Sequence, residues 1–535
     1  MLDLVHPYLP AALVVMAFLP FAWRRLLTYL HIFQQEEYDG PRFLRWIVQN
    51  GAFDRRATVI ILALFGLSFL YPVPRVVVGG FMAAVLVLGI FREGDPRKEG
   101  KKKLAMTPRA TRIDRLAFLL LTVVGLIGVG LALHPVFIVV LVQGVPLALV
   151  GAVAILQPGE NRIQQGFWNE AHEKLKKLSP IIVGVTGSYG KTSTKHILGH
   201  ILENANSALI TPGSVNTPMG IARIVRERLE PWHRYFVVEM GAYGPGSIER
   251  LCRLAPPDIA VVTAVGPAHY ERFKSLDTVA RTKFELPTAA LARGGKAIIN
   301  DAVLAFEDAR RFTDAHRASM VLVGQGEGSD AHLGAVTQEK DGLRVSLTYQ
   351  GQDHVLFAPL YGLHHGGNMA LAFVTALAMG VEAEIALIAL KSTPQISHRL
   401  EVKRQGDGTT IIDDGYNSNP AGFASALELL PLLVSGEGRR ILITPGMVEL
   451  GEAHAEEHRK IGTKAGGAVD ILLAVAPERI RELIDAYKDA SAAGEVVECE
   501  SFAQAQAWMG QNLKAGDAVL IENDLPDLYE RKLAL

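Results

Sequence analysis

The sequence predicts an α-helical transmembrane domain followed by two α/β domains. Apolar runs separated by basic loops fill residues 1–157, and they predict a membrane domain of about five helices. Patterns of strands and helices alternate through residues 180–395, and a second, smaller alternation fills residues 396–535. Residues 158–179 are amphipathic and predict a connecting helix ahead of the first α/β domain.

The predicted membrane spans lie at residues 5–23, 57–74, 76–91, 116–133 and 135–157. Several are close to the roughly 17–20 residues that a helix needs to cross a bilayer. The first run has no basic start and no small-residue cleavage site, which favours an anchor over a cleaved signal. The alternative is that some short runs are buried core helices of a soluble domain, which the basic loops between them disfavour.

Charge predicts how these spans are oriented. The loops at 24–56 and 92–115 hold six arginines and nine basic residues respectively, and the other two connections carry almost no charge. Positive loops stay inside, so five spans put the N-terminus outside and everything after residue 157 in the cytoplasm. We therefore expect a multi-pass protein of the inner or plasma membrane. Residues 29–47 fit either an interfacial helix or a cytoplasmic connector.

Composition also excludes some classes of function. The net charge of −1 gives no reason to expect nucleic-acid binding. It is the sum of a basic membrane domain, at +7, and an acidic remainder, at −8. Two cysteines, Cys252 and Cys499, are too few for a zinc ribbon and suggest no disulfide framework.

The first α/β domain is predicted to contain a mostly parallel sheet. Its apolar strands are PIIVGVTG, RYFVVEMGA, DIAVVTAVG and GGKAIIN, and residues 330–360 add antiparallel hairpin strands. The second domain is predicted to be Rossmann-like, with strands TTIIDDG, GRRILITPG, DILLAVA and DAVLIEN. The stretch KSTPQISHR, at 391–399, is a plausible hinge between the two domains.

A glycine-rich stretch, VGVTGSYGKTSTKHI at residues 183–197, reads as a strand, a tight turn and a helix. Residues 186–193 would place backbone N–H groups at a helix N-terminus, where phosphates bind. Lys191 would neutralise the β- and γ-phosphates, and Thr192 would ligate Mg²⁺. The stretch departs from the common phosphate-loop spacing, because Val185 stands where a glycine is expected. It nevertheless predicts a P-loop ATPase domain.

Three further residues could complete an ATP site. Glu239 follows an apolar strand, and strand ends of open α/β sheets face the ligand crevice. His269 also follows a strand, and Lys283 lies in a helix about a dozen residues later. Taken singly, Glu239 would more often be solvated, His269 structural and Lys283 a surface charge. Their occurrence together favours function.

Six motifs occur in an order that resembles the Mur ligases, the ATP-dependent amino-acid ligases of peptidoglycan synthesis. They are TGSYGKT (186–192), EMGA (239–242), GPAHYERF (266–273), ARTKFE (280–285), GLHHGGN (362–368) and DDGYNSNP (413–420). The resemblance covers about residues 180–535. The unusual spacing of the phosphate loop is this family's own.

The resemblance implies a role for each matching residue. The ATP phosphates would be bound by Gly187, Ser188, Gly190, Lys191, Thr192 and Ser193. Asn368 would contact adenine, and Arg399 and Asp414 would contact phosphate and ribose when the domains close. Thr192 and Glu239 would hold one Mg²⁺ ion and His269 a second. Lys191, His269 and Lys283 would be catalytic, with Lys283 carbamylated into a carboxylate-like group.

The resemblance also implies an amide bond made through an acyl phosphate. SVNTPMGIAR (214–223), DDGYNSNP and GMVELGEAHAEEHRKIG (446–462) favour D-alanyl-D-alanine as the amine and a muramoyl-peptide carboxylate as the acceptor. The membrane domain stands where the family has a domain that grips the UDP-sugar, so the cell-wall precursor is either UDP-linked or lipid-linked.

The sequence departs from the family's pattern at three points. His398 precedes Arg399 where glycine is usual, and position 365 is histidine. The last strand leads into IENDLPDLYE (521–530), which is acidic where the family usually has a Lys-Gly-Ser-like turn. Two alternative functions remain. One is a poly-glutamate-type polymer ligase of the same superfamily, which would use an amino acid as its amine. The other is a nucleotide-gated membrane regulator that kept the ATP fold.

Overall fold

A computed structural model describes residues 7–71, 73–98, 103–266, 273, 275–415, 420–448, 450–491 and 493–523, with only the backbone at 421. The chain divides into two compact units, and the division falls between Ile163 and Gln164. The first unit is helical and the second contains two β-sheets.

Each predicted apolar run overlaps a helix of the first unit, although the ends of the helices differ from those predicted. They are α1 (Leu9–Gln35), α2 (Gly40–Asn50), α3 (Arg55–Leu70), α4 (Arg75–Phe91), α5 (Pro108–Gly130) and the first part of α6 (Ile138–Leu178), after a 3₁₀ turn at Pro135–Phe137. Among the described residues, three helical segments are long and apolar enough to cross a membrane: Leu9–Gln35, Pro108–Gly130 and Pro135–Leu178. Helices α3 and α4, of 16 and 17 residues, are shorter.

Two local features differ from the predicted elements. The fifth apolar run and the predicted connecting helix form one continuous helix, α6, with Pro146 and Pro158 inside it. The stretch at 29–47 is divided between α1 and α2. Glu37 and Tyr38 have positive φ, which ends α1, and the Asp39 carboxylate accepts a hydrogen bond from Arg42 N at 2.9 Å, which caps α2.

The first sheet of the second unit has nine strands in the order β2-β3-β1-β4-β5-β6-β7-β8-β9 within the described residues. The strands are β1 (Ile181–Thr186), β2 (Ala208–Ile210), β3 (Tyr235–Glu239), β4 (Ile259–Val262), β5 (Lys296–Asn300), β6 (Met320–Gly324), β7 (Ala331–Glu339), β8 (Gly342–Tyr349) and β9 (Gln352–Ala358). Pairing is parallel as far as β7, and β7, β8 and β9 pair antiparallel. This confirms a mostly parallel sheet with an added hairpin.

Helices cover both faces of this sheet. They are α7 (Lys191–Ala205), α8 (Pro218–Arg228), α9 (Ser247–Leu254), α10 (Leu276–Leu291), α11 (Glu307–Ala315), α12 (His365–Ala378) and α13 (Ala383–Lys391), with 3₁₀ turns at Asp301–Ala305 and Arg317–Ser319. Val183 and Val185 of β1 point into the core beneath α7 and α12, and Ile182 points into the core beneath α8 and α10. A strand buried on both faces explains the continuous apolar run of β1.

The second sheet has six strands in the order β10-β11-β15-β12-β13-β14. They are β10 (Glu401–Arg404), β11 (Thr410–Asp414), β12 (Arg440–Thr444), β13 (Ile471–Val475), β14 (Glu495–Cys499) and β15 (Ala518–Glu522). The associated helices are α14 (Pro420–Leu427), α15 (Leu430–Leu433), α16 (His454–Ala468), α17 (Arg481–Ala490) and α18 (Phe502–Asn512), with 3₁₀ turns at Gly451–Ala453 and Pro477–Arg479. β10 is antiparallel to β11, and the other pairings are parallel.

The first sheet positions the site, because β1 lies between β3 and β4. Val185 pairs with Glu239 of β3, and Thr186 pairs with Val262 of β4. The loops that follow these three parallel strands therefore leave the sheet at the same edge, where ligands of open α/β sheets bind.

Candidate active site

The phosphate loop connects β1 to α7 by a turn that requires glycine. Gly190 has φ of 80°, and a Cβ atom at this position would lie 2.4 Å from Asn368 Oδ1. Both the left-handed backbone and this close approach disfavour a side chain here. The turn delivers the chain directly into α7, whose first residue is Lys191, so free backbone N–H groups face the loop.

Lys191 is folded back over its own loop. Its Nζ donates to the carbonyl oxygens of Gly187, at 2.7 Å, and Ser188, at 3.1 Å. Burial lowers the pKa of Lys191 to about 8, although the Glu239 carboxylate acts in the opposite direction. Its closest acceptors are thus neutral carbonyls, and a phosphate would be a stronger partner for this cation.

Glu239, at the end of β3, is the carboxylate at the centre of the site. It is 1% exposed and receives three donors. Thr192 Oγ1 donates to Oε2 at 2.9 Å, Lys195 Nζ lies 3.0 Å from the same oxygen, and Asn216 Nδ2 donates to Oε1 at 3.0 Å. Burial acts to raise the pKa of Glu239, but the charges of Lys195 and Lys191 hold it below its usual value.

The pair formed by Thr192 and Glu239 fits a magnesium ion. A hydroxyl and a carboxylate are hard oxygen ligands of the kind Mg²⁺ prefers, and they are adjacent beside a phosphate loop. The carboxylate is ionised and already accommodates a cation, the Lys195 ammonium.

Lys283, from α10, faces the same space. It is 4% exposed, and it lines a cavity of about 30 Å³ together with Gly187, Lys191 and Asn216. Burial lowers the pKa of Lys283 well below its usual value, and the Lys191 charge acts in the same direction. In the described part of the chain, no group forms a hydrogen bond or ion pair with its amine. Burial and the Lys191 charge therefore both favour the neutral form of this amine over its cation.

Asn368 lies over the other side of the loop. Thr194 Oγ1 donates to its Oδ1 at 3.2 Å, and its Nδ2 is 3.3 Å from His365 Nδ1. Both Asn368 and His365 are buried, and burial lowers the pKa of His365 well below its usual value. A neutral imidazole beside a carboxamide can donate and accept hydrogen bonds, as a nucleotide base requires.

Arg399 lines the site just before the first strand of the second sheet, and Asp414 of that sheet interacts with its charge. Asp414 Oδ1 accepts a hydrogen bond from Leu400 N at 3.2 Å, and burial raises the pKa of Asp414 to about 6 while the Arg399 charge opposes this. The Arg399 charge also acts to lower the pKa of Lys191. A cavity of about 420 Å³ is lined by Thr192 and Lys195 on one side and Arg399 on the other.

Of the other predicted site residues, those of the phosphate loop are held by close contacts or burial. Ser188 Oγ donates to Gly266 O at 3.0 Å, which ties the loop to the segment after β4, and Ser193 is buried in the first turn of α7. Gly187 approaches Thr263 so closely that a Cβ would lie 2.0 Å from its Oγ1. His269 lies outside the described residues.

Three residues of this site are not among those predicted from the sequence. Lys195 binds both Glu239 and the Gly213 carbonyl, Asn216 holds the other oxygen of Glu239, and the Tyr243 hydroxyl donates to Asn216 Oδ1 at 2.8 Å. A signal existed for Lys195, since it lies one helical turn after Lys191. Asn216 belongs to the SVNTPMGIAR stretch, but nothing in its spacing indicates a contact with Glu239.

Comparison with known proteins gives matches over both sheets. Residues 185–376 match the Mur ligase middle domain, and residues 398–522 match the Mur ligase glutamate ligase domain.

Two relatives carry the name UDP-N-acetylmuramoyl-tripeptide–D-alanyl-D-alanine ligase. The protein from Mycobacterium leprae is 32% identical over 372 residues, which cover 64% of this chain and 70% of the relative. The protein from Bacillus subtilis is 30% identical over 288 residues, which cover 54% of this chain and 61% of the relative. The alignment therefore spans less than two thirds of the Bacillus subtilis protein's length.

A solved structure shows the same fold. The MurF ligase from Thermotoga maritima, determined in complex with ADP, is 26% identical with a TM-score of 0.57. The match covers 69% of this chain and 82% of that protein. Together with the domain matches and the position of the phosphate loop, these similarities show that the chain belongs to the Mur ligase family of ATP-dependent ligases.

Proposed function

We propose that this protein is a membrane-anchored ligase that uses ATP to join D-alanyl-D-alanine to the tripeptide carboxylate of a muramoyl cell-wall precursor. The arrangement that carries the proposal is the buried Glu239 carboxylate, held by Thr192 and Lys195 beside the phosphate loop, with the buried Lys283 amine facing the same space. The names of the Mycobacterium leprae and Bacillus subtilis relatives support the choice of substrates.

The reaction we propose has two steps. A carboxylate oxygen of the precursor attacks the γ-phosphorus of ATP, and ADP leaves. The amine nitrogen then attacks the acyl carbon and loses a proton, the C–N bond forms, and the C–O bond breaks as phosphate leaves. The loop N–H groups and Lys191 would bind the phosphates, with Lys191 exchanging the carbonyls of Gly187 and Ser188 for phosphate oxygens.

Thr192 and Glu239 would hold one magnesium ion, and His269, outside the described residues, would hold a second. Bound Mg²⁺ supplies neutralisation of the negative charge on the phosphates. Arg399 and Asp414 would contact phosphate and ribose, and Asn368 would contact adenine. The ADP complex of the Thermotoga maritima relative supports a nucleotide at this place.

Lys283 is proposed to be carbamylated. The neutral amine favoured by burial is the form that attacks the carbon of CO₂, releasing a proton and leaving an N-linked carboxylate. This reaction would convert an amine whose cationic form burial and the Lys191 charge both disfavour into an anion near Lys191. Lys283 would then act with Lys191 in the catalytic step.

The first unit is proposed to be a multi-pass membrane domain with the N-terminus outside and the second unit in the cytoplasm. Three long apolar helical segments and the basic loops between them support this. Labelling with a membrane-impermeant maleimide tests it, because Cys252 and Cys499 are buried. Leu133→Cys should be labelled in intact cells and Lys98→Cys only after lysis. The reverse pattern would contradict the orientation.

The activity is tested with the purified full chain in detergent. ADP and phosphate should be released only when both the muramoyl-tripeptide and D-alanyl-D-alanine are present. Glutamate in place of the dipeptide should give no product, and product with glutamate would favour a polymer ligase instead. ATP turnover that needs no amine would contradict the ligase.

Lys283→Ala separates a ligase from a nucleotide-gated protein. The variant should lose activity, and short carboxylates such as formate or acetate should restore part of it. Lys296→Ala, which removes an exposed lysine of β5, is the matched control and should keep full activity. A Lys283→Ala variant with unchanged turnover would contradict the role of this residue.

A further inference from the structure

A cavity in the first unit lies outside the site described above. It has a volume of about 270 Å³ and lies among the middle of α1, the start of α3 and the end of α4. Phe21, Ile60, Val85 and Leu88 form its apolar wall. Ile60 and Leu88 are 46% and 63% exposed, so the wall continues onto the apolar outer surface of the unit. The cavity is therefore open along an apolar helical face.

Charged side chains form the floor of this cavity. Arg25 is 6% exposed, its Nη2 lies 2.8 Å from Asp54 Oδ2, and its Nη1 donates to Glu93 Oε1 at 3.1 Å. Thr28 also donates to Glu93. Arg25 Nε is buried and has no hydrogen-bond partner among the described residues. One buried arginine thus binds both carboxylates of the floor, and one of the arginine's donors, Nε, remains unused.

Two further arginines form the rim. Arg56, in the first turn of α3, and Arg92, directly after α4, both line the cavity and are exposed. Neither has an ion pair or a side-chain hydrogen bond within the described ranges of the chain. The five charged groups of the cavity therefore sum to +1, and the two cations without partners come from different helices.

This combination fits one class of ligand. Arginine binds phosphate through paired N–H donors, and two arginines that line one cavity can take the same phosphate from two sides. The apolar wall beside them suits a hydrocarbon chain. A small soluble anion would use the rim and leave the wall exposed to water.

We propose that this cavity binds the headgroup of an anionic phospholipid-like amphiphile, with the phosphate on Arg56 and Arg92 and the hydrocarbon chain along Ile60 and Leu88. All the charged groups of the cavity belong to the two basic loops that the charge pattern assigns to the cytoplasmic side, so the ligand would lie in that leaflet. The inference rests on the proposed membrane location of the first unit, and it is independent of the ligase reaction.

The test is native mass spectrometry of the full chain in maltoside detergent, titrated with didecanoyl phosphatidylglycerol. We expect one bound lipid per chain, and at least tenfold weaker binding of didecanoyl phosphatidylcholine, whose choline cancels the phosphate charge. Arg56→Gln with Arg92→Gln should weaken phosphatidylglycerol binding at least tenfold. Arg45→Gln with Arg55→Gln removes the same charge at exposed positions outside the cavity and should change binding less than twofold.

Three results would overturn the proposal. They are equal binding of the two lipids, unchanged binding by the Arg56 and Arg92 double variant, and displacement of the lipid by equimolar inorganic phosphate, which would assign the site to a soluble anion. If the double variant does not fold, the exposed Arg92→Gln alone should weaken binding at least threefold. ATP turnover with soluble substrates in the same preparation shows separately whether the proposed ligase activity holds.

Discussion

Replacing Lys195 by methionine removes the cation 3.0 Å from Glu239 Oε2 while keeping an unbranched side chain. Both side chains are buried, so water cannot replace the lost partner. Breaking one side of a buried ion pair costs about 3–5 kcal/mol. Thr192 and Asn216 still donate to the same carboxylate, so we expect a loss near the lower end, about 3 kcal/mol.

The assay is thermal unfolding of the nucleotide-free full chain in detergent, followed by tryptophan fluorescence. A loss of this size lowers the melting temperature of a domain of about 150–250 residues, such as the first α/β domain, by about 6–12 °C. Glu239→Gln removes the charge that Lys195 balances, so the two substitutions together should cost about 2 kcal/mol less than the sum of the single changes. Lys296→Met, at an exposed lysine, is the control and should change the melting temperature little.

Two results would refute this account of the pair. Strictly additive losses would mean that Lys195 and Glu239 do not stabilise each other. A Lys195→Met variant that melts within about 2 °C of the parent would mean that Thr192 and Asn216 hold the carboxylate without it. ADP release should fall in the same variant, because Glu239 is the proposed metal ligand and Lys195 positions it.

Three further predictions concern the loop and the second sheet. Binding of a non-hydrolysable ATP analogue at pH 8 should be accompanied by uptake of about half a proton on Lys191, because its pKa of about 8 rises when phosphate becomes its partner. Calorimetry in two buffers of different ionisation enthalpy measures this uptake. The same proton uptake in the Lys191→Met variant would contradict the prediction. Gly190→Ala should lower the free energy of unfolding by about 1–2 kcal/mol, because φ of Gly190 is 80°, and should weaken binding of the analogue. Gly244→Ala is the control and should do neither, because its Cβ meets open space. Equal melting temperatures of the two variants would count against this prediction. Asp517→Asn should cost about 2 kcal/mol at pH 7, because the buried carboxylate pairs with Arg439 at 2.7 Å. Burial acts to raise the pKa of Asp517 but Arg439 and backbone donors hold it below its usual value, so this stability is present above about pH 4 and is lost as the pH falls further. The melting temperatures of parent and Asn variant should therefore converge in acid, and a constant difference down to pH 2 would contradict the argument.

Strands buried on both faces could be predicted, because their sequences are continuous apolar runs. The strands β1, β3, β4 and β5 all carry such runs, and so do the central strands of the second sheet. The edge strand β10, with sequence EVKR, has no apolar signal, and it forms only by pairing with β11. The strand β2 is apolar, but with three residues it is too short for a pattern to identify it. The strand β6 is also apolar, and it is not among the predicted strands although its signal was present.

The site could be predicted where chemistry depends on residues close in sequence. The loop, Lys191 and Thr192 form one local motif, and Glu239 follows from its position at a strand end. Lys195 and Asn216 could not be assigned to Glu239, because their contact depends on how α7 and the segment before α8 fold against β3. Long-range pairing of this kind leaves no periodic signal in the chain.

The charges of the site explain why these groups belong together. In the described part of the chain, three buried or half-buried lysines, Lys191, Lys195 and Lys283, surround one central carboxylate, Glu239. Burial lowers the pKa values of all three lysines, and neighbouring positive charges lower those of Lys191 and Lys283 further. A bound triphosphate would supply the missing negative charge and raise the pKa of Lys191. A carbamate on Lys283 would add a negative charge beside Lys191. Both changes reduce the same excess of positive charge, so we expect nucleotide affinity and the carbamylated fraction of Lys283 to depend on each other. Nucleotide binding measured with and without added bicarbonate would show this dependence.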